Sequence, residues 1–126
     1  MTDAERLEWA CEVLNREGHH GFSGWGVYQD TMVRPGSSSV ILSAFDAIAI
    51  ALALDEQARR KLPMSEQAEW AAAELASRVS SCAPWRASLA QGRWFCSDRF
   101  GRVKWTKEAI AIAESLIRRE LLGDTP

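Results

Sequence analysis

Residue patterns that usually carry chemistry are scarce in this chain. It has two histidines, His19 and His20, which are adjacent, with no carboxylate or cysteine at ligand spacing nearby. Such a pair does not address one metal from a helix face, so no metal centre is expected and the pair reads as a solvated loop element. The three cysteines, Cys11, Cys82 and Cys96, are odd in number and lack CxxC spacing, which argues against a disulfide framework and a zinc site. The longest apolar run, Ala47 to Leu54, stops after eight residues, well short of the roughly 18 a membrane span needs. The acidic start, with Asp3, Glu5 and Glu8, lacks the basic flank and apolar core of a signal peptide. A cytoplasmic protein with no membrane association is expected.

Catalytic signatures are missing too. The serines Ser37 to Ser39 have no GxSxG context, and no Gly-Lys-Ser/Thr follows Gly24-Trp25-Gly26 or Pro35-Gly36-Ser37. Cys11 falls on an apolar helix face, where an inert thiol is expected. Cys96 has no histidine beside it to activate it. Glu8, Glu12 and Glu69 read as solvated helix charges. The expectation is therefore a non-enzymatic protein without a cofactor.

What the chain does have is a globular composition. Of 126 residues 47% are hydrophobic and 25% charged, enough to bury a core without disulfides and too apolar for wholesale disorder. The net charge of −2 hides an asymmetry. Residues 1–62 carry six Lys/Arg against nine Asp/Glu, whereas residues 63–126 carry nine against eight. Six tryptophans supply large contact area at low entropic cost, useful in small cores and in binding faces alike.

The chain echoes itself. Ala47-Ile48-Ala49-Ile50-Ala51 recurs as Ala109-Ile110-Ala111-Ile112-Ala113, 62 residues on, each copy preceded by an acidic residue. Upstream, Glu8-Trp9-Ala10 with Leu14 recurs as Glu69-Trp70-Ala71 with Leu75, 61 residues on. Two matches of different composition at nearly one offset indicate a tandem duplication. The repeats are placed at 1–62 and 63–126, sharing one compact domain.

Local signals fill in each repeat. Thr2 and Glu5 form a capping box opening a helix over about 3–17, with Leu7, Ala10, Cys11 and Leu14 on one face and Gly18 as a left-handed stop. A glycine-rich connector, residues 18–26, follows. Trp25 to Val33 alternates as one strand, Pro35-Gly36 signals a turn, and Val40-Ile41-Leu42 a second strand. Ser43 to Asp46 is another capping box, opening a helix over about 44–61. That helix is apolar all round for two turns, so it is expected to be the more buried of the two motif helices. Leu62-Pro63 ends it. Ser65 caps a helix over about 65–80, with Ala72, Leu75 and Val79 on one face. Residues 81–92 read as a connector, Arg93–Ser97 and Arg102–Trp105 as strands about the turn Asp98 to Gly101, and Thr106 opens a helix over about 106–121 closed by Gly123. The predicted fold class is α+β: a tandem helix–β-hairpin–helix unit with antiparallel sheet covered by helices.

The second hairpin region, residues 85–107, is the functional candidate. Partner-binding residues are expected at Trp85, Arg86, Arg93, Arg99, Phe100, Arg102 and Lys104, interleaved with Trp94, Phe95 and Trp105. Such interleaving suits a protein interface, where Trp, Phe and Arg are enriched anchors. It also suits nucleic acid, with arginines on phosphates and aromatics on bases. Overall acidity, pI about 5.7, favours a protein partner. A purely structural alternative places Trp94, Val103 and Trp105 in the core and leaves the arginines to solvate the outer face.

The stretches Trp9-Ala10-Cys11-Glu12-Val13-Leu14-Asn15, His20-Gly21-Phe22-Ser23-Gly24-Trp25 and Leu42-Ser43-Ala44-Phe45-Asp46-Ala47-Ile48-Ala49-Ile50-Ala51 together resemble small proteins of bacteriophages and prophages. Those share a helix ending near Leu-Asn, a tryptophan-bearing strand and a closing Glu-Ala-x-Ala-Ile-Ala helix. The resemblance covers residues 7–54 well. Residues 69–117 match only in outline, lacking the Leu-Asn and His-Gly elements. It carries over no catalytic residue. It implies a mobile-element origin and a phage-encoded inhibitor of a host defence complex, in the manner of anti-CRISPR proteins, acting in the host cytoplasm.

Overall fold

Thr2 starts the first helix as its sequence dictates. Its hydroxyl accepts from the Glu5 amide and the Glu5 carboxylate from the Thr2 amide, both at 3.2 Å, which satisfies two orphan donors reciprocally. The structure, a computed structural model, describes residues 2–36 and 39–123. Helix α1 (Asp3–Arg16) buries Leu7, Ala10, Cys11, Val13 and Leu14 and is stopped by Gly18 in the left-handed region, φ 62°. A 3-10 turn, His19–Gly21, leads into β1 (Trp25–Tyr28), β2 (Met32–Pro35), β3 (Leu42–Ser43) and α2 (Ala44–Arg60). Then come α3 (Met64–Arg78), a second 3-10 turn (Ser80–Cys82), β4 (Arg86–Ala90), β5 (Arg93–Ser97), β6 (Val103–Trp105) and α4 (Thr106–Leu122). The fold is α+β, with strand orders β1-β2-β3 and β4-β5-β6, all antiparallel.

Each sheet has three strands where the sequence suggested two. The alternation from Trp25 to Val33 hides a reversal at Gln29 and Asp30, both with positive φ (54° and 61°), so that Tyr28 pairs with Met32. The stretch read as a connector before Arg93 contains β4. Gln91 and Gly92, φ 51° and 78°, make the two-residue loop that pairs Ala90 with Arg93, the geometry of a primed hairpin turn. Pro35 closes β2 and the turn toward β3 begins at Gly36, φ 59°, whose amide donates to the Gly24 carbonyl at 3.1 Å. Of the loop Ser37-Ser38-Ser39, Ser37 and Ser38 lie outside the described residues.

One helix start differs from expectation. Helix α3 begins at Met64 with Pro63 at its N-cap and no side-chain cap, so Ser65 is not the capping residue. Proline's fixed φ already suits a helix entry. Thr106 opens α4 as expected, and its hydroxyl donates to the Trp94 carbonyl at 2.8 Å, tying the helix start to β5. In α2, Ala47, Ile48, Ala51 and Leu52 are buried, yet Phe45 is 58% exposed and Ile50 half-buried. The apolar-all-round helix therefore keeps a solvent side.

The chain forms two compact units. One comprises Met1–Ala58 and Arg118–Pro126, the other Arg59–Ile117. The division runs inside α2 and α4, whereas the sequence placed the junction at Pro63. In the first unit α1 packs on β1 and β2. The side chain of Asn15 doubles as a strand partner: Oδ1 accepts from the Trp25 amide at 2.6 Å and Nδ2 donates to the Trp25 carbonyl at 3.0 Å. Arg118 clasps the buried Glu56 carboxylate through Nε and Nη2. In the second unit α3 packs on β4 and β5, over a core of Ala71, Ala72, Leu75, Cys96, Ala109 and Ala113. Four of those six core residues are alanines, and Arg59 bridges Glu114 at 2.7 Å while stacking on Trp70 at 3.5 Å.

Both units share one order of elements. Starts in the second set follow those in the first by 61 residues (64 minus 3, 86 minus 25, 103 minus 42), and α4 follows α2 by 62 (106 minus 44). A tryptophan clip also recurs. The Trp25 indole donates to the His19 carbonyl at 3.3 Å and the Trp85 indole to the Val79 carbonyl at 3.4 Å, each six residues upstream.

Candidate functional site

Strand alternation sorts the candidate residues of the second sheet onto two faces, because directly opposed residues share a side. Cys96 is fully buried, and Ala87 and Lys104 lie opposite it, which defines the inner face. The outer face follows from the remaining pairs: Arg86 opposite Ser97, Ala90 opposite Arg93, Phe95 opposite Trp105, and Ser97 opposite Val103. Val103 is 53% exposed and Trp105 39%, and Trp94 is half-buried. Two of the three residues offered as core by the structural alternative are thus at the surface.

On this outer face the Arg93 guanidinium lies 3.8 Å over the Trp105 ring, and Phe95 meets the same ring edge-on at 6.3 Å. The first sheet has a counterpart, Arg34 lying 3.8 Å over Tyr28. A cation stacked on an aromatic ring holds both side chains in one geometry, worth about 0.5–1 kcal/mol at an exposed site.

The turn between β5 and β6 is organised by Asp98, whose side chain is 2% exposed. Its Oδ1 accepts from the Phe100 and Arg102 amides at 2.9 and 3.0 Å, and its Oδ2 from Arg102 Nε at 2.8 Å. Burial pushes this carboxyl up, but the hydrogen bonds from Arg102 and Phe100 outweigh it and hold the group below the ordinary aspartate value. Phe100 projects from the turn, 59% exposed, with Arg99 and Arg102 over its ring at 4.8 and 5.3 Å. Arg102 also reaches the Cys82 sulfur at 3.1 Å, and the Arg99 amide donates to the Cys82 carbonyl.

Trp85 and Lys104 belong to neither exposed group. With Leu75, Val79, Ile112 and Cys82 they line a hollow of about 220 Å³, and Trp85 packs against the second core. The structure therefore sorts the seven expected residues: Arg86 and Arg93 on the outer face, Arg99, Phe100 and Arg102 at the turn, and Trp85 and Lys104 along the hollow, which Arg102 also borders. Val103, Asp98 and Cys82 are the participants that sequence reasoning missed. Asp98 was the one acidic residue among the arginines, which was a signal of its pairing.

Elsewhere the chemistry is muted. Cys96 donates to the Ala68 carbonyl at 3.4 Å, and burial pushes the thiols of Cys11 and Cys96 up. His19 is half-buried against Trp25, at 5.8 Å between rings, rather than solvated. Desolvation, then the neighbouring His20, pushes its pKa down. Among the described residues no three His, Cys, Asp or Glu are grouped to hold a metal ion, and no helix is long and apolar enough to cross a membrane. No family model, curated protein or solved structure matches the chain.

Proposed function

We propose that the protein is a non-enzymatic protein-binding module, and that the outer face of its second sheet meets a carboxylate-bearing surface of a partner protein. The observation that carries this reading is Arg93 stacked on the exposed Trp105, flanked by Phe95, Val103 and Arg86. A pre-stacked Arg–Trp pair loses little rotamer freedom on docking, and these two residue types dominate interface hot spots. The single acidic residue of the turn, Asp98, is consumed by Arg102, so the face and turn offer positive charge outward. That favours an acidic partner. Two arginines on the sheet face are few for a strand of nucleic acid, whose affinity grows with each phosphate neutralised, so nucleic-acid binding stands second. Inhibition of a host defence complex is the finer form of the proposal and rests on the resemblance to phage proteins. A tandem duplication, proposed as the origin of the fold, is supported by the constant element offset and the two tryptophan clips.

The test is affinity capture from nuclease-treated lysate, comparing the wild type with a Trp105→Ala/Arg93→Glu variant that keeps its melting temperature. Proteins captured by the former and lost by the latter support the reading, with binding that persists as salt is raised. Binding of labelled single-stranded DNA or RNA that falls steeply with salt would instead support the nucleic-acid alternative.

A further inference from the structure

A second, larger hollow of about 500 Å³ lies in the second unit, a size within the roughly 300–1,000 Å³ typical of small-molecule sites. Helix α4 supplies one wall through Lys107, Ile110, Ala111 and Glu114, spaced i, i+3, i+4, i+7 along one stripe. Met64 and Gln67 of α3, with Arg60, complete it. We propose that this hollow binds a small amphipathic anion, a carboxylate on an apolar body.

Charge decides the class of ligand. The carboxylate of Glu114 is engaged by Arg59 at 2.7 Å, and both side chains are nearly buried. Arg60 and Lys107 are exposed and have no ion-pair partner among the described residues. The wall therefore presents two cations and no competing anion. The first residue of α3 and the second of α4 also border the hollow, so the positive ends of two helix dipoles add to the same sign. Met64, Ile110 and Ala111 supply the apolar lining.

Gln67 adds direction. It is 8% exposed, and its Nε2 donates to the Leu62 and Arg60 carbonyls at 2.8 and 3.4 Å. Its Oε1 has no hydrogen-bond partner among the described residues, leaving a fixed amide acceptor in the lining for a hydroxyl or N–H on the ligand. A neutral apolar molecule would leave Arg60 and Lys107 unused, and a bare inorganic anion would leave the apolar lining wet. An amphipathic carboxylate satisfies both.

The probe is 1-anilinonaphthalene-8-sulfonate, an apolar body with one sulfonate, titrated into the folded full-length chain at about 0.1 M salt, where screening leaves close ion pairs intact. In a Trp105→Ala background, which removes the other aromatic face, fluorescence should saturate near one equivalent. Decanoate should displace the probe and decanol should not. Reversing Arg60 and Lys107 to Glu should weaken probe and decanoate at least about tenfold, because both attractions become repulsions, with no change in melting temperature. Ala111→Trp, which fills the hollow, should abolish binding; if that variant unfolds, the charge reversal carries the test. Non-saturating binding, equal displacement by decanol, or a reversal that leaves affinity within about threefold overturns the proposal. Because the background lacks Trp105, failure here is independent of failure of the partner-binding reading.

Discussion

Single residues in this protein differ sharply in how much rests on them, and burial sets the difference. Glu114→Ala removes the carboxylate from Arg59, which is 6% exposed; breaking a buried pair of this kind is expected to cost about 3 kcal/mol. Asp3→Ala touches an ion pair whose acid is 99% exposed and should cost less than about 1 kcal/mol. Urea denaturation of both variants checks the contrast. Asn15→Ala leaves the Trp25 amide and carbonyl without their side-chain partner, for about 1–3 kcal/mol, and should speed hydrogen exchange at Trp25 above its neighbours. Asp98 gives the pH dependence. Its folded pKa is depressed from 3.8, so the stability it contributes is fully present above that ordinary value and is lost as pH falls through the lower folded one. Its carboxyl carbon should titrate below 3.8 by NMR. In Asp98→Asn that acid-dependent loss should disappear.

Among the elements, α2 shows what an apolar run does and does not say. Ile48 is 6% exposed, while Ile50, two residues on, is half-buried. Ile48→Asp buries an unpaired carboxylate and should unfold the protein; Ile50→Asp should stay folded with a lowered melting temperature. Circular dichroism melts decide it, and equal behaviour of the two would show that the helix buries both sides alike. The helices were legible because Thr2 with Glu5, Ser43 with Asp46 and the Ala-Ile repeats act locally, within one or two turns. The third strand of each sheet was not, because its turns are made by Gln29-Asp30 and Gln91-Gly92, and glutamine seldom signals a positive φ. The density of arginine and aromatics marked the right strands, but only the register separates Arg93 and Trp105 from Lys104. The larger hollow was invisible, since Arg60, Gln67 and Lys107 are brought together by tertiary packing alone.

At the scale of the whole molecule, each sequence half holds a nearly buried carboxylate whose cation comes from the other. Glu56 takes its cation from Arg118, and Glu114 from Arg59. Cutting the chain between Leu62 and Pro63 separates both pairs. Peptides 1–62 and 63–126, prepared singly, should each lack the near-ultraviolet signal of fixed tryptophans that the intact chain gives. A native spectrum from either alone would overturn this dependence. The same interlacing of segments has a consequence for synthesis on the ribosome. The unit that starts at Met1 also includes residues from Arg118, while the unit from Arg59 to Ile117 includes nothing later than itself. At about 5–20 residues per second, translating the 59 residues from 59 to 117 takes about 3–12 s. Throughout that interval the first 58 residues have been synthesised without the segment that completes their unit. The half made first is therefore the half finished last, and it is the nascent chain's vulnerable end, where Val27, Val40, Ile41 and Phe45, exposed even after folding, are open to chaperones and proteases.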